Sequence, residues 1–109
     1  MTDINEELRA AEATGAVLTT NSNSKATIRV LKETKYVAAS AMTTYASDKP
    51  LNDARYAVVI TLSDLVKALE TDPAEQQEKI DKAQGAIRNL VWALKAEQEL
   101  RLRRLADGD

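Results

Sequence analysis

The chain has 109 residues, enough for one domain, of which 44 % are hydrophobic and 29 % charged, with a net charge of −2. It contains no His and no Cys, which excludes disulfides, thiolate nucleophiles, Cys/His zinc sites and imidazole acid/base chemistry. Phe is also missing, and with three Tyr, one Trp, three Gly and two Pro the composition predicts an aliphatic, Ala-rich helical core rather than an all-β fold.

Residues 3–13 read as a short helix rich in Glu and Ala, ending near Thr14 and Gly15, where Gly suits the left-handed position after a helix. The opening MTDINEELRAAEA is acidic and amphipathic, unlike a signal peptide, and no apolar run approaches membrane-spanning length. A soluble protein with no membrane partner is expected, cytoplasmic or, if phage-encoded, virion-associated. The polar run TTNSNS, residues 19–24, comes next, with Asn23 or Ser24 placed to cap the second helix. A short strand over residues 16–20 stays open as an alternative.

Residues 24–46 read as an amphipathic helix. At 100° per residue, Ala26, Val30, Leu31, Thr34, Val37, Ala38, Ala41, Met42 and Tyr45 share one broad side. Lys25, Arg29, Lys32 and Tyr36 fall opposite, within roughly a 60° arc. This basic stripe is the candidate ligand-binding surface: three cations for phosphate oxygens and a tyrosine ring for a base or sugar. The competing reading is an ordinary solvated helix face. A helix-turn-helix alignment of the same stretch places its turn at Thr34 to Tyr36. It fits poorly, because Lys35 stands where Gly is favoured, Leu31 is bulky at the helix contact, and VAASAMTTYA carries no side chain suited to base edges. Nucleic acid is therefore not expected as a partner, and a helix-turn-helix-like DNA-binding regulator ranks third among the functional readings.

SDKPLND, residues 47–53, is predicted as a turn, with Asn52 or Asp53 capping the third helix. From there Leu51, Arg55, Val58, Leu62, Leu65 and Leu69 recur at steps of four and three, a helix seam interrupted only by Arg55. A strand over residues 54–61 is the alternative. Thr71, Asp72, Pro73, Ala74 and Glu75 form a helix start, and Pro73 breaks the helix before it. From Pro73 to about Ala106 a long helix is predicted, with Gly85 weakening it by about 1 kcal/mol. Its seam is Ile80, Ala83, Ile87, Leu90, Val91, Leu94, Leu102 and Leu105, with Gln98 as a polar interruption.

At roughly 50 Å this last helix outruns its two main predecessors, at about 25 to 35 Å, and its end should project. Trp92, Ala93, Ala96 and Leu100 lie off its seam, and Tyr56 and Ile60 do the same on the preceding helix. Of these, Tyr56, Ile60, Trp92, Ala96 and Leu100 are the candidate oligomer interface, because a three-helix monomer has no use for second apolar faces. The carboxylate pairs Glu75/Glu78 and Asp72/Glu75 sit in a first turn and read as capping and dipole residues, so no enzyme, metal or cofactor is expected. In the tail, Lys95, Arg101, Arg103 and Arg104 are balanced by Glu97, Glu99, Asp107 and Asp109.

The expected fold is all-α: a helical bundle of three main helices with a short N-terminal helix and a long projecting C-terminal helix, assembled as a homo-oligomer. The expected function is non-enzymatic, stoichiometric binding by an adaptor, inhibitor or structural accessory protein. The partner would be the chain itself and either a protein or an anionic, nucleotide-like small molecule. In size and style the chain resembles accessory proteins of bacteriophages, including helical oligomers that sequester nucleotide signals and small virion or assembly factors. No residue is carried over from that resemblance.

Overall fold

A computed structural model describes residues 3–20, 25–71 and 73–107. Among these the chain is helical throughout: α1 (Ile4–Thr19), α2 (Lys25–Ala41), α3 (Lys49–Thr71) and α4 (Gln76–Ala106), with single 3-10 turns at Ala46–Asp48 and Pro73–Glu75. Both segments left open as strands are helical, residues 16–19 closing α1 and residues 54–61 lying inside α3. Helix α1 packs on α2 and α4, and α3 packs on α2 and α4. The short connections make chain neighbours antiparallel, which gives an up-and-down helical bundle. Its longest dimension is 53 Å, set largely by the 31 residues of α4, about 46 Å of helix.

Helix α1 is a full member of the bundle rather than a short appendage. It begins at Asp3, whose carboxylate accepts from the Asn5 N–H at 3.1 Å. It runs through Gly15 because Leu18 continues the buried stripe Glu7, Ala11 and Thr14, and burying Leu18 outweighs the weak helix propensity of one Gly. A Cβ at Gly15 would stand 3.6 Å from Ile87, an ordinary contact, so no left-handed turn is required there. The helix closes at Thr20, whose N–H and hydroxyl both donate to the Val17 carbonyl.

Helix α2 stops at Ala41, earlier than its periodicity suggests. Residues 42–45 form the connection, and α3 starts at Lys49, so the predicted turn over residues 47–53 is already helical from that point. Pro50 fits there because a first-turn residue lacks an intrahelical acceptor for its N–H. Asn52 caps nothing. It instead clasps the connection, donating to the Thr43 carbonyl at 2.9 Å and accepting from the Thr43 N–H at 3.3 Å. The Thr43 hydroxyl donates to Asp48 at 2.7 Å. The buried side of α2 is Thr27, Leu31, Thr34, Val37 and Ala38; Ala26, Met42 and Tyr45 are exposed, the last two because the helix has ended before them.

The seam of α3 is buried from Leu51 through Leu65, with Leu69 half-buried. On α4, Ile80, Ala83, Ile87, Leu90 and Leu94 enter the core, whereas Leu102 and Leu105 are exposed. The reason is geometric. Gln98 donates to Asn5 at 2.6 Å, level with the first turn of α1, and beyond that point α4 has little neighbour to pack on. Thr71 belongs to α3, its hydroxyl bonding back to the Lys67 carbonyl, rather than capping α4. Asp53, the alternative cap of α3, lies inside that helix and accepts from the Lys49 ammonium at 3.0 Å; Asn23, Ser24 and Asp72, the remaining expected caps, lie outside the described residues.

One polar contact fixes α1 against α2. Thr34 donates to the Ala10 carbonyl at 3.0 Å and its oxygen lies 2.6 Å from the Thr14 hydroxyl, so Thr14 is left to donate to Thr34. Thr34→Val therefore strands a fully buried Thr14 hydroxyl and should cost about 1–3 kcal/mol. Thr14→Val leaves Thr34 bonded to Ala10 and should cost about 1 kcal/mol or less. Equilibrium urea denaturation of both variants reads the difference; equal losses would contradict this assignment of donors.

Candidate functional site

The basic stripe forms as the spacing predicts, along one face of α2. Lys25, Arg29, Lys32 and Tyr36 are all exposed, Tyr36 at 73 %. None of the three cations makes an ion pair with another described residue. The stripe lies along one exposed face of a single helix, and the five main clefts among the described residues are lined by other side chains. Helix α2 is continuous through Thr34, Lys35 and Tyr36, where a helix-turn-helix alignment of this stretch needs its turn.

The second set of candidates is also at the surface. Trp92 is 80 % exposed, Tyr56, Ile60 and Leu100 are roughly half exposed, and Ala96 is exposed. Trp92, Ala96 and Leu100 come at intervals of four on α4, and Tyr56 and Ile60 are one turn apart on α3. Around Trp92 the surface of α4 forms a shallow, mainly apolar depression bordered by Arg88, Asn89, Val91 and Lys95. Gly85, half-exposed, lies seven residues before Trp92 on the same side, with no atom other than the adjoining backbone of its own helix within 4 Å of where its Cβ would be.

Sequence reasoning missed the one buried ion pair among the described residues. Arg55 lies across the bundle from Glu7, Nε to Oε2 at 2.7 Å and Nη2 to Oε1 at 2.8 Å, and Nη1 also donates to Asn52 at 3.1 Å. Both charged side chains are almost fully buried. The apparent flaw in the α3 seam is thus a diagonal tie between α1 and α3, continued through Asn52 to the Thr43 connection. The signal was present in the sequence: an Arg inside an apolar seam requires a buried acid, and Glu7 shares its stripe with Ala11, Thr14 and Leu18. Beside this tie, at the end of the bundle, opens a cleft of about 450 Å³ bordered by Asp3, Thr43, Tyr45, Asp48, Arg55 and Arg101.

The remaining charges are arranged locally. Glu78 pairs with Lys82 one turn on, at 3.1 Å. The hydrogen bond from the Lys82 ammonium, with its charge and that of Lys79 adding, holds the Glu78 carboxyl below the usual carboxylate range. Arg101 pairs with Glu97 and Arg103 with Glu99 in the same i, i+4 manner, as the balance of charge in the tail predicts. Among the described residues no three acidic side chains converge as a metal site, and no helix is long and apolar enough to cross a membrane.

Compared with protein-family models, curated proteins and solved structures, the chain matches none of them.

Proposed function

We propose that the protein acts by stoichiometric binding and self-assembly rather than by catalysis, using the outer face of α4 as its contact surface. The observation that supports this most is Trp92. A tryptophan offers about 150–250 Å² of mainly apolar area for burial and is enriched at interface centres. Here it stands 80 % exposed in the middle of the longest helix, where it contributes little to the fold. Leu100, further along the same helix, and Tyr56 and Ile60 on α3 extend the apolar surface available to a partner.

Sedimentation velocity of wild type and Trp92→Ala tests the reading. Wild type should associate with rising concentration, and the variant should weaken that association by about tenfold or more at unchanged thermal stability. Identical behaviour of the two chains would count against α4 as the surface.

A second reading keeps the basic stripe in play as the capture site of an anionic, nucleotide-like molecule. What favours it is that Lys25, Arg29 and Lys32 lack acidic partners among the described residues, leaving three cations and the Tyr36 ring free to engage phosphate and base. Lying on one exposed helix face, the stripe would need a second copy to close a pocket around the ligand. Thermal shift with a panel of nucleotides and inorganic phosphate should then raise the melting temperature of wild type but not of Arg29→Ala. No shift for wild type across the panel removes this reading.

A further inference from the structure

Arg55 carries more donors than its partners use. Of the five N–H groups of its guanidinium, the Glu7 carboxylate takes two and the Asn52 side-chain carbonyl one. The other two, one on Nη1 and one on Nη2, have no acceptor among the described residues. The side chain is almost fully buried, and it lines the cleft of about 450 Å³ at the end of the bundle. Buried donors on the wall of a cleft call for an acceptor inside it, and this volume is that of a small-molecule site.

The remaining polar walls carry both signs of charge and are tied to Arg55. Asp48 accepts the Thr43 hydroxyl on Oδ2 at 2.7 Å, and Thr43 is joined through Asn52 to the guanidinium. On α1, the Asp3 carbonyl accepts the Glu7 N–H at 3.0 Å, and Glu7 holds Arg55. Asp3 caps α1 with Oδ1 alone, so each of the two acids keeps one carboxylate oxygen without a donor among the described residues. Arg101, a second cation on the cleft, meets Glu97 through Nε at 3.2 Å.

We infer that this cleft binds a small zwitterion of the amino-acid type, its carboxylate taken by Arg55 and Arg101 and its ammonium by Asp3 and Asp48. Arg55 and Arg101 already face Glu7 and Glu97, so Asp3 and Asp48 leave the cleft net negative and a lone anion is repelled. A lone cation would leave the two Arg55 donors unmet. A molecule with both charges answers both walls, and the guanidinium fork suits a carboxylate. Met42 and Leu51 border the same cleft and offer apolar ground for a side chain. Hydrogen bonds already tie the polar groups to one another, so binding orders little. The cleft shares no residue with the α2 stripe or the Trp92 surface, and its binding stands whether or not the chain self-associates.

Titration of the full chain with each common amino acid in turn, followed by proton–nitrogen correlation NMR, tests the site. At least one should give saturable shifts at Ser40, Thr43 and the Arg55 Nε–H, with a Kd of about 1 mM or below. Its N-acetyl derivative, which lacks the ammonium, and the corresponding amine, which lacks the carboxylate, should each bind about tenfold or more weakly. Asp48→Asn keeps an acceptor for Thr43, and Arg101→Gln changes an exposed residue, so both should fold with unchanged melting temperature yet weaken binding by about tenfold. The absence of saturable shifts for every amino acid up to about 10 mM would mean that the cleft holds water only, and overturns the proposal. Binding that N-acetylation leaves unchanged, or that neither Asp48→Asn nor Arg101→Gln weakens, overturns it as well.

Discussion

Replacing Arg55 by Met is expected to destabilise the fold by about 3–5 kcal/mol, because it leaves the Glu7 carboxylate buried without its counter-charge. Glu7 and Arg55 are 2 % and 5 % exposed, and the guanidinium meets both carboxylate oxygens at 2.7 and 2.8 Å. Against a typical domain stability of about 5–15 kcal/mol the loss would be severe. The reverse holds for the pair taken together. Glu7→Leu combined with Arg55→Met removes both desolvation penalties, and a double variant of similar volume should recover most of the stability. Urea denaturation of the two single variants and the double variant completes the cycle. If either single variant loses less than about 1 kcal/mol, the pair behaves like an exposed one, and its burial plays no part in holding α1 to α3.

The second large effect separates the two ends of α4. Leu90→Ala should cost about 2–5 kcal/mol, since Leu90 is fully buried and its removal leaves a cavity that the neighbouring helices fill only in part. Leu105→Ala should fall within about 0.5 kcal/mol of wild type, because its side chain is 73 % exposed and loses almost no packing. Both leucines occupy the same seam by spacing, so helical periodicity alone would rank them equally. A loss of more than about 1.5 kcal/mol at Leu105, measured at a concentration where the chain is monomeric, would mean that the bundle reaches further along α4 than its partners do.

That contrast shows what the sequence could and could not convey. Steps of three and four placed Leu51, Val58, Leu62 and Leu65 on one buried face, and the structure agrees. Periodicity names a face, but burial also needs a neighbour. Leu102 and Leu105 continue the pattern beyond the level of Gln98 and Asn5, where α1 begins, and they remain in solvent. The end of α2 was hidden for a related reason. No Gly or Pro stops the Ala-rich stretch after Val37; the stop comes from side chains of another segment, Asn52 and Asp48 holding Thr43. The Glu7–Arg55 tie joins residues 48 positions apart, a separation at which local pattern indicates only that a partner is needed.

The candidate surfaces were legible as far as exposure goes. Lys25, Arg29, Lys32 and Tyr36 form the expected stripe, and Trp92, Ala96 and Leu100 the expected outer face of α4. Gly85 was read only as a weak point in the helix.

Self-association is the central claim, and the solution mass tests it most directly. Multi-angle light scattering or sedimentation equilibrium, taken up to about 1 mM chain, covers dimers as weak as about −4 kcal/mol. Docking through α4 predicts a concentration-dependent rise from the 11.9 kDa chain mass toward twice that value, accompanied by a blue shift of Trp92 emission as its ring leaves water. A mass that stays at 11.9 kDa over the whole range, with unshifted Trp92 emission, would contradict it.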